Sequence, residues 1–173
     1  CARDHVGNEP FVVLLGDTVG TGEKIPVTRQ LINIFERYQE SVVAVEEVER
    51  AKVGRYGVIR GRKVADGLLL VQDFVEKPTP KEAPSNLAIA GRYVFTPDIF
   101  DCLAKISRGK NNEYQLTDAM RLMVKTRAMY ALRFRGVRYD IGNKLDFVKT
   151  NLVFGLQQKD MAAELRAFIR RLC

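Results

Sequence analysis

The stretch FVVLLGD (residues 11–17) decides the fold class of this chain. It opens with five consecutive apolar residues, which predicts a strand buried on both faces, as in a parallel sheet. PVTRQLINIFERYQ (26–39) follows with apolar residues at helical spacing, and SVVAVEEV (41–48) is a second apolar run. Strand, helix and strand in this order predict a β-α-β unit with a right-handed crossover and a parallel strand pair.

The middle of the chain has a different character. Residues 56–78 alternate short β-rich runs with glycine turns, which predicts antiparallel hairpins. The proline-rich KPTPKEAPSN (77–86) predicts a loop, and LAIAGRYVF (87–95) predicts a strand. MYALRFRGVR (129–138) is interpreted as one further apolar and basic strand. We therefore expect an α/β fold whose sheet contains an antiparallel excursion.

Three helical segments complete the pattern. The first covers 96–106, where Thr96 can cap the helix and Pro97 suits its first position. The second, at 115–127, is amphipathic, and one or two helices follow from Lys144 with a break near the polar QQKD. These helices are expected to cover the sheet.

Composition and charge limit the class of protein. The 173 residues, 46% hydrophobic and 28% charged, suit one globular domain. No apolar run approaches the roughly 18–20 residues that span a bilayer, so no membrane partner is expected. The net charge of +7 is spread along the chain without a nucleic-acid motif. It suits small polyanions such as nucleotides or sugar phosphates, or a solvated basic surface without a special partner.

The cysteine and histidine content disfavours several chemistries. Cys1, Cys102 and Cys173 are odd in number and lack metal-ligand spacing, which favours a reduced, cytoplasmic chain. His5 is the only histidine and lies near one terminus. Neither a serine–histidine pair nor a histidine metal site is therefore expected.

Acidic residues stand at three predicted strand ends, namely Asp17, Glu76 and Asp140. Ligands of open α/β sheets bind beyond the carboxyl ends of the strands. Two carboxylates brought together there could hold Mg²⁺, which uses few protein carboxylates and completes its shell with water and substrate phosphates. An acid at a strand end is also a common cap or turn former, and spacing alone leaves both interpretations of Asp17 and Asp140 open.

The pair Glu76–Lys77 offers complementary chemistry. A carboxylate can accept hydrogen bonds from sugar hydroxyls, and an ammonium can meet a phosphate. Successive side chains of a strand point to opposite faces, so both reach one ligand only if the backbone bends at Pro78. The alternative is an exposed ion pair. Gly57 and Gly91 interrupt β-like runs, which suggests a bulge or a close backbone approach.

Six blocks in order resemble the bacterial UTP–glucose-1-phosphate uridylyltransferases, from about residue 6 to about residue 156. They are PFVVLLGDT, SVVAVEEV, RYGVIRG, FVEKPTPKEAPSNLAIAGRYVFTPDIF, NEYQLTDAM and RYDIGNKLDFVKTN. The resemblance implies a Rossmann-like nucleotidylyltransferase fold, a mixed sheet flanked by helices. It implies the conversion of UTP and glucose 1-phosphate into UDP-glucose and pyrophosphate with Mg²⁺. It also implies a homo-oligomer.

Carried over by motif, the resemblance assigns roles to the same residues. Asp17 and Asp140 match the metal ligands, and Glu76 matches a residue that binds glucose hydroxyls. Lys77 matches the residue that meets the sugar phosphate. Gly57 and Gly91 match glycines whose backbone lines the sugar pocket. Asp17, Lys77 and Asp140 would together be the catalytic set.

The chain departs from the family pattern in two ways. Thr18 stands where the family often has a second acid, a minor change because Asp17 remains. The N-terminal third, with its glycine-rich nucleotide loop, has no counterpart, so we expect an N-terminally truncated fold. Residues 1–156 would form the sugar-phosphate and metal-binding part, and 157–173 a C-terminal helix.

Three functional hypotheses follow from the resemblance. The first is the sugar-phosphate and metal-binding part of a uridylyltransferase, inactive on its own. The second is a sister enzyme that uses another nucleotide, such as a thymidylyltransferase, because base choice lies in the absent segment. The third is a non-catalytic fragment that binds sugar phosphate or assembles with itself.

Overall fold

The computed structural model describes residues 2–109 and 112–172, which form a six-stranded mixed sheet, a two-stranded sheet and flanking helices. The strands are β1 (Phe11–Leu14), β2 (Thr18–Gly22), β3 (Ser41–Glu47), β4 (Gly57–Ala65), β5 (Leu68–Glu76), β6 (Leu87–Phe95), β7 (Met129–Arg133) and β8 (Gly136–Asp140). The α-helices are α1 (Ala2–Val6), α2 (Val27–Tyr38), α3 (Ile99–Lys105), α4 (Leu116–Met123), α5 (Lys144–Gln157) and α6 (Ala162–Leu172). A 3₁₀ helix covers Arg50–Arg55.

The large sheet has the strand order β1-β6-β3-β7-β5-β4. The predicted parallel pairing of β1 with β3 is wrong, because β6 lies between them and is antiparallel to both. β3 instead pairs in parallel with β7. β1 is an edge strand whose side chains alternate between half-buried and exposed, so it is not buried on both faces. The apolar run did not reveal this, since its pairing partner comes much later in the chain.

Most of the other predicted elements are confirmed. β3 is buried, β4 and β5 form an antiparallel hairpin, and β6 coincides with LAIAGRYVF. The proposed Thr96 cap is wrong, because α3 begins only at Ile99 and has no side-chain cap. The hydroxyl of Thr96 instead lies 3.2 Å from that of Ser41 and also donates to the Asp98 carboxylate.

The predicted strand over 129–138 is two strands in two different sheets. β7 ends at Arg133, and β8 begins at Gly136, where φ is 152°. β8 then pairs antiparallel with β2, a short glycine-containing strand that the sequence pattern did not predict. The register of this second sheet places Thr18, the residue after Asp17, opposite Asp140.

The hydrophobic core lies on both faces of the large sheet. Because successive strand side chains face opposite ways, Val43 of β3 packs in the cluster with α3 and α4, whereas Val42 packs with α2. Phe74 and Met120 are fully buried in the first cluster and Leu31 in the second. These two layers pack against the sheet whose strand ends carry the candidate site.

The C-terminal helices are less deeply packed. α5 and α6 are separated by residues 158–161, close to the break expected at QQKD. Leu145, Val148 and Phe168 are 63%, 62% and 49% exposed. Within residues 2–109 and 112–172, no helix is both long and apolar enough to cross a bilayer.

Candidate functional site

One cleft of about 890 Å³ brings together the six candidate site residues predicted from the sequence. It lies where the turn after β1, the ends of β5 and β8 and the start of β4 meet. The predicted residues that line it are Asp17, Gly57, Glu76, Lys77, Gly91 and Asp140. Asp17 and Asp140 are 123 positions apart in the sequence, and the fold brings them into the same cleft.

Asp17 and Asp140 face the same point at one end of the cleft. The backbone N–H of Ile141 donates to the carbonyl of Asp17 over 2.8 Å, which ties the two segments together. A Cβ atom placed on Gly142 would lie 3.3 Å from Oδ1 of Asp140 and 3.5 Å from Oδ2 of Asp17. The glycine therefore leaves open a small space that both carboxylates border.

The other oxygen of Asp140 is held in place by its neighbours. The Tyr56 hydroxyl donates to Oδ2 over 3.0 Å, and Arg138 Nη1 lies 4.0 Å from the same oxygen. Arg138 stacks on the Tyr56 ring at 4.4 Å and pairs with Glu46. Burial is the largest single influence on the pKa of the Arg138 guanidinium and lowers it, but Glu46 and Tyr56 together outweigh burial, so the pKa is raised. Oδ1 of Asp140 accepts a hydrogen bond from the backbone N–H of Gly142 over 3.1 Å and borders the space beside that glycine.

This donor set fits Mg²⁺ of the kind that shares its shell with a substrate. Asp17 and Asp140 would supply hard oxygen ligands around the space left by Gly142. Among the described residues, no group of three or more histidine, cysteine or acidic side chains is arranged to hold a metal ion. Two carboxylates with room for water and phosphate oxygens are what Mg²⁺ uses at nucleotide sites.

Glu76 and Lys77 occupy the other side of the cleft. The Thr117 hydroxyl donates to Oε2 of Glu76 over 2.6 Å, and Lys77 Nζ lies 3.9 Å from Oε1. Lys77 has φ of 44°, in the left-handed region that is strained for a residue with a Cβ atom. This backbone bend allows the side chains of Glu76 and Lys77 to line the same cleft. The sequence pattern alone did not decide between this arrangement and an exposed ion pair.

The two glycines are both places of close approach, as predicted. A Cβ atom on Gly57 would lie 2.8 Å from Cδ1 of Ile89, 3.0 Å from Oγ1 of Thr117 and 3.1 Å from Oε2 of Glu76. Gly57 is therefore required for the pairing of Thr117 with Glu76. Gly91 has φ of 66° and lies at the register shift between β3 and β6.

Several side chains of the cleft were not identified from the sequence. Tyr93 is 4% exposed, and burial, followed by the Glu76 and Asp17 carboxylates, raises the pKa of its phenol, which therefore stays a hydrogen-bond donor. Further examples are Lys52, Arg55, Tyr56, Thr117, Arg138 and Lys149. The same sequence blocks contain Tyr56, Tyr93 and Thr117, but spacing does not show which side chains point inward. The cationic residues give the cleft a rim suited to phosphates.

The fold and the cleft agree with a known family. Residues 1–154 match the nucleotidyl transferase family model, and the chain belongs to this family. It is 46% identical over 171 residues to the UTP–glucose-1-phosphate uridylyltransferase of Staphylococcus epidermidis, covering 99% of this chain and 59% of that protein. The corresponding protein of Streptococcus pneumoniae serotype 4 is 45% identical over 175 residues, covering 99% and 58%. The resemblance drawn from the sequence blocks is thereby confirmed.

A solved structure shows the same architecture. A UDP-glucose pyrophosphorylase crystallised in complex with UDP-glucose superimposes with a TM-score of 0.88 at 41% identity. The match covers 91% of this chain and 60% of that one. The expected mixed sheet flanked by helices is confirmed, and this chain spans somewhat more than half the length of the proteins that it resembles.

Proposed function

We propose that this chain is the sugar-phosphate- and Mg²⁺-binding part of a UTP–glucose-1-phosphate uridylyltransferase. The observation that carries the proposal is the single cleft in which Glu76 and Lys77 face Asp17 and Asp140. One ligand with a sugar at one end and a phosphate at the other fits this arrangement. The uridylyltransferases of Staphylococcus epidermidis and Streptococcus pneumoniae, at 46% and 45% identity, favour this reaction over that of a sister enzyme.

The sugar end is assigned to Glu76 and its surroundings. With Oε2 occupied by Thr117, Oε1 remains to accept hydrogen bonds from sugar hydroxyls. Gly57 leaves room for a ring beside the carboxylate, and the apolar side chain of Ile89 lies next to it. The protonated Tyr93 can donate to a sugar or phosphate oxygen. The side chains around Glu76 thus suit a neutral, hydroxyl-rich group.

The phosphate end is assigned to Lys77 and the metal-binding carboxylates. The Lys77 ammonium provides a positive charge next to the sugar site, where a 1-phosphate would stand. Asp17 and Asp140 would hold Mg²⁺, which when bound neutralises charge on the phosphates of the two substrates. Homo-oligomerisation and a cytoplasmic location, both expected from the sequence, remain predictions.

The reaction that we propose needs no protein nucleophile and no general base. A phosphate oxygen of glucose 1-phosphate forms a bond to the α-phosphorus of UTP, and the bond from that phosphorus to the bridging oxygen of the β-phosphate breaks. Pyrophosphate leaves with the electron pair. The attacking oxygen is already anionic, so the residues of the cleft contribute positioning and charge neutralisation. Among the described residues that line the cleft there is no histidine, which is consistent with a reaction that needs no general base.

Calorimetric titration of this chain with glucose 1-phosphate tests the sugar assignment. Glu76→Gln removes the carboxylate charge but keeps the size of the side chain, so we expect at least roughly 10-fold weaker binding of glucose 1-phosphate. Inorganic phosphate has no sugar to contact Glu76, so its affinity should be the same for the wild-type chain and for Glu76→Gln. Glu47→Gln, at an exposed acid on β3, is the matched control. An equal loss of affinity for glucose 1-phosphate and for inorganic phosphate in Glu76→Gln would exclude a sugar-facing role for Glu76.

A further inference from the structure

The turn that carries Asp17 is held by two neighbouring segments: the N–H of Ile141 donates to the Asp17 carbonyl over 2.8 Å, and β6 makes further contacts with the turn. Within it, the N–H of Thr18 lies 3.4 Å from the carbonyl of Leu15, a long hydrogen bond. The backbone N–H of Leu15 makes a shorter hydrogen bond, 3.0 Å, to the carbonyl of Gly91 in β6. The position of the Asp17 carboxylate therefore depends on β6 as well as on the segment after β8.

Arg92 makes most of the contacts between β6 and this turn. Its Nη1 donates to the carbonyl of Leu15 over 3.1 Å and to that of Gly91 over 2.9 Å. Its Nη2 donates to the carbonyl of Thr18. The guanidinium thus bonds to backbone carbonyls on both sides of Asp17. A planar fork of donors suits such multiple contacts, which a single ammonium cannot reproduce.

The strand is shaped to bring Arg92 to this place. Between Val43 and Val45 the pairing of β3 with β6 shifts register, and Gly91 stands in this irregular part with φ of 66°. A Cβ atom on Gly91 would lie 3.1 Å from Oγ1 of Thr18. The close approach of the two segments therefore requires a glycine immediately before the arginine.

We propose that Arg92 is the positioning residue of Asp17: it fixes the turn from Leu15 to Thr18 and thereby the first of the two metal-binding carboxylates. The inference rests on the proposed function, because the metal site is part of that proposal. Groups that orient metal ligands are often as important to metal affinity as the ligands are. Arg92 would act on the metal only through Asp17.

The test uses a substitution that keeps the charge and removes the fork. In Arg92→Lys, amide hydrogen exchange at Leu15 and Thr18 should become roughly 10-fold faster or more, while the amides of β3 keep their protection. Mn²⁺ affinity, measured from free Mn²⁺ by electron paramagnetic resonance, should fall roughly 10- to 100-fold. Arg135→Lys is the control, because that arginine is 79% exposed.

The outcomes separate the inference from the proposed function. Unchanged exchange at Leu15 and Thr18 in Arg92→Lys would overturn the inference, whatever the metal does. Faster exchange with unchanged Mn²⁺ affinity would also overturn it, because the turn would then not matter to the site. A wild-type chain that binds Mn²⁺ no better than Asp17→Asn would contradict the metal site of the proposed function, and the exchange data would still decide whether Arg92 holds the turn.

Discussion

The Thr117 hydroxyl donates to Oε2 of Glu76 over 2.6 Å, and this contact joins α4 to the end of β5 at the base of the cleft. Thr117 is 7% exposed, so its hydroxyl has little access to solvent. The contact leaves one oxygen of Glu76 to face a ligand. It makes the orientation of Glu76 sensitive to a residue that contacts no substrate in our proposal.

Replacing Thr117 should therefore affect sugar binding selectively. Thr117→Val keeps the shape of the side chain and removes the donor, so affinity for glucose 1-phosphate should fall roughly 5- to 10-fold, in line with the loss of one hydrogen bond to a charged group. Thr117→Ser keeps the donor and should bind almost as well as the wild-type chain. Isothermal titration calorimetry measures both. Equal affinities in the valine and wild-type chains would contradict the role given to this contact.

The tight space at Gly57 gives a prediction about stability. In Gly57→Ala the new methyl group would meet Ile89, Thr117 and Glu76 at 2.8–3.1 Å. Overpacking of this kind costs about 1–3 kcal/mol in the free energy of unfolding. Gly16→Ala is the matched control, since a Cβ atom there has nothing within 4 Å. Urea denaturation monitored by circular dichroism measures the free energy of unfolding of both variants. An equal loss in Gly57→Ala and Gly16→Ala would contradict the tight packing at Gly57.

Tyr93 gives a prediction about alkaline pH. Its pKa in the folded chain is raised, by burial first and then by the Glu76 and Asp17 carboxylates. Above the ordinary tyrosine pKa of about 10, the unfolded chain loses this proton while the folded chain keeps it. Stability contributed by neutral Tyr93 is thus present below that pH and decreases above it, by at most about 1.4 kcal/mol per pH unit.

The comparison with Tyr93→Phe isolates that effect. Phenylalanine has no proton to lose, so the difference in unfolding free energy between the wild-type chain and the variant should be constant from pH 7 to about 9.5 and should shift in favour of the variant above about pH 10. Chemical denaturation at a series of pH values measures the difference. A difference that stays constant through pH 11 would show that Tyr93 is not a buried neutral phenol.

The residues singled out as site candidates line one cleft, whereas the strand pairing predicted for the sheet was partly wrong. Alternation, glycines and prolines located most elements, because these signals are local. The antiparallel insertion of β6 between β1 and β3 depends on pairing between distant segments. The split of 129–138 into two strands was missed for the same reason. β8 pairs with the distant strand β2 and not with the large sheet.

The parts of the site that escaped prediction are those set by side-chain direction. Asp17, Glu76 and Asp140 stand out as acids at strand ends, and the family resemblance gave them roles. Tyr56 and Arg138 support Asp140 through a hydrogen bond and a charge contact that cross between elements. No spacing in the sequence predicts such contacts, because they depend on how the two sheets are placed.

The most direct test of the proposed reaction is the formation of UDP-glucose from UTP and glucose 1-phosphate. The protein to assay is a fusion of this chain with the part of the Staphylococcus epidermidis relative that has no match in this chain. Asp140→Asn is the test variant, and Asp66→Asn is the control. Asp66 is 81% exposed. We predict Mg²⁺-dependent UDP-glucose and pyrophosphate in equal amounts, unchanged in Asp66→Asn and at least roughly 100-fold slower in Asp140→Asn. A fusion that binds both substrates without forming UDP-glucose, or an Asp140→Asn variant with the full rate, would contradict the account.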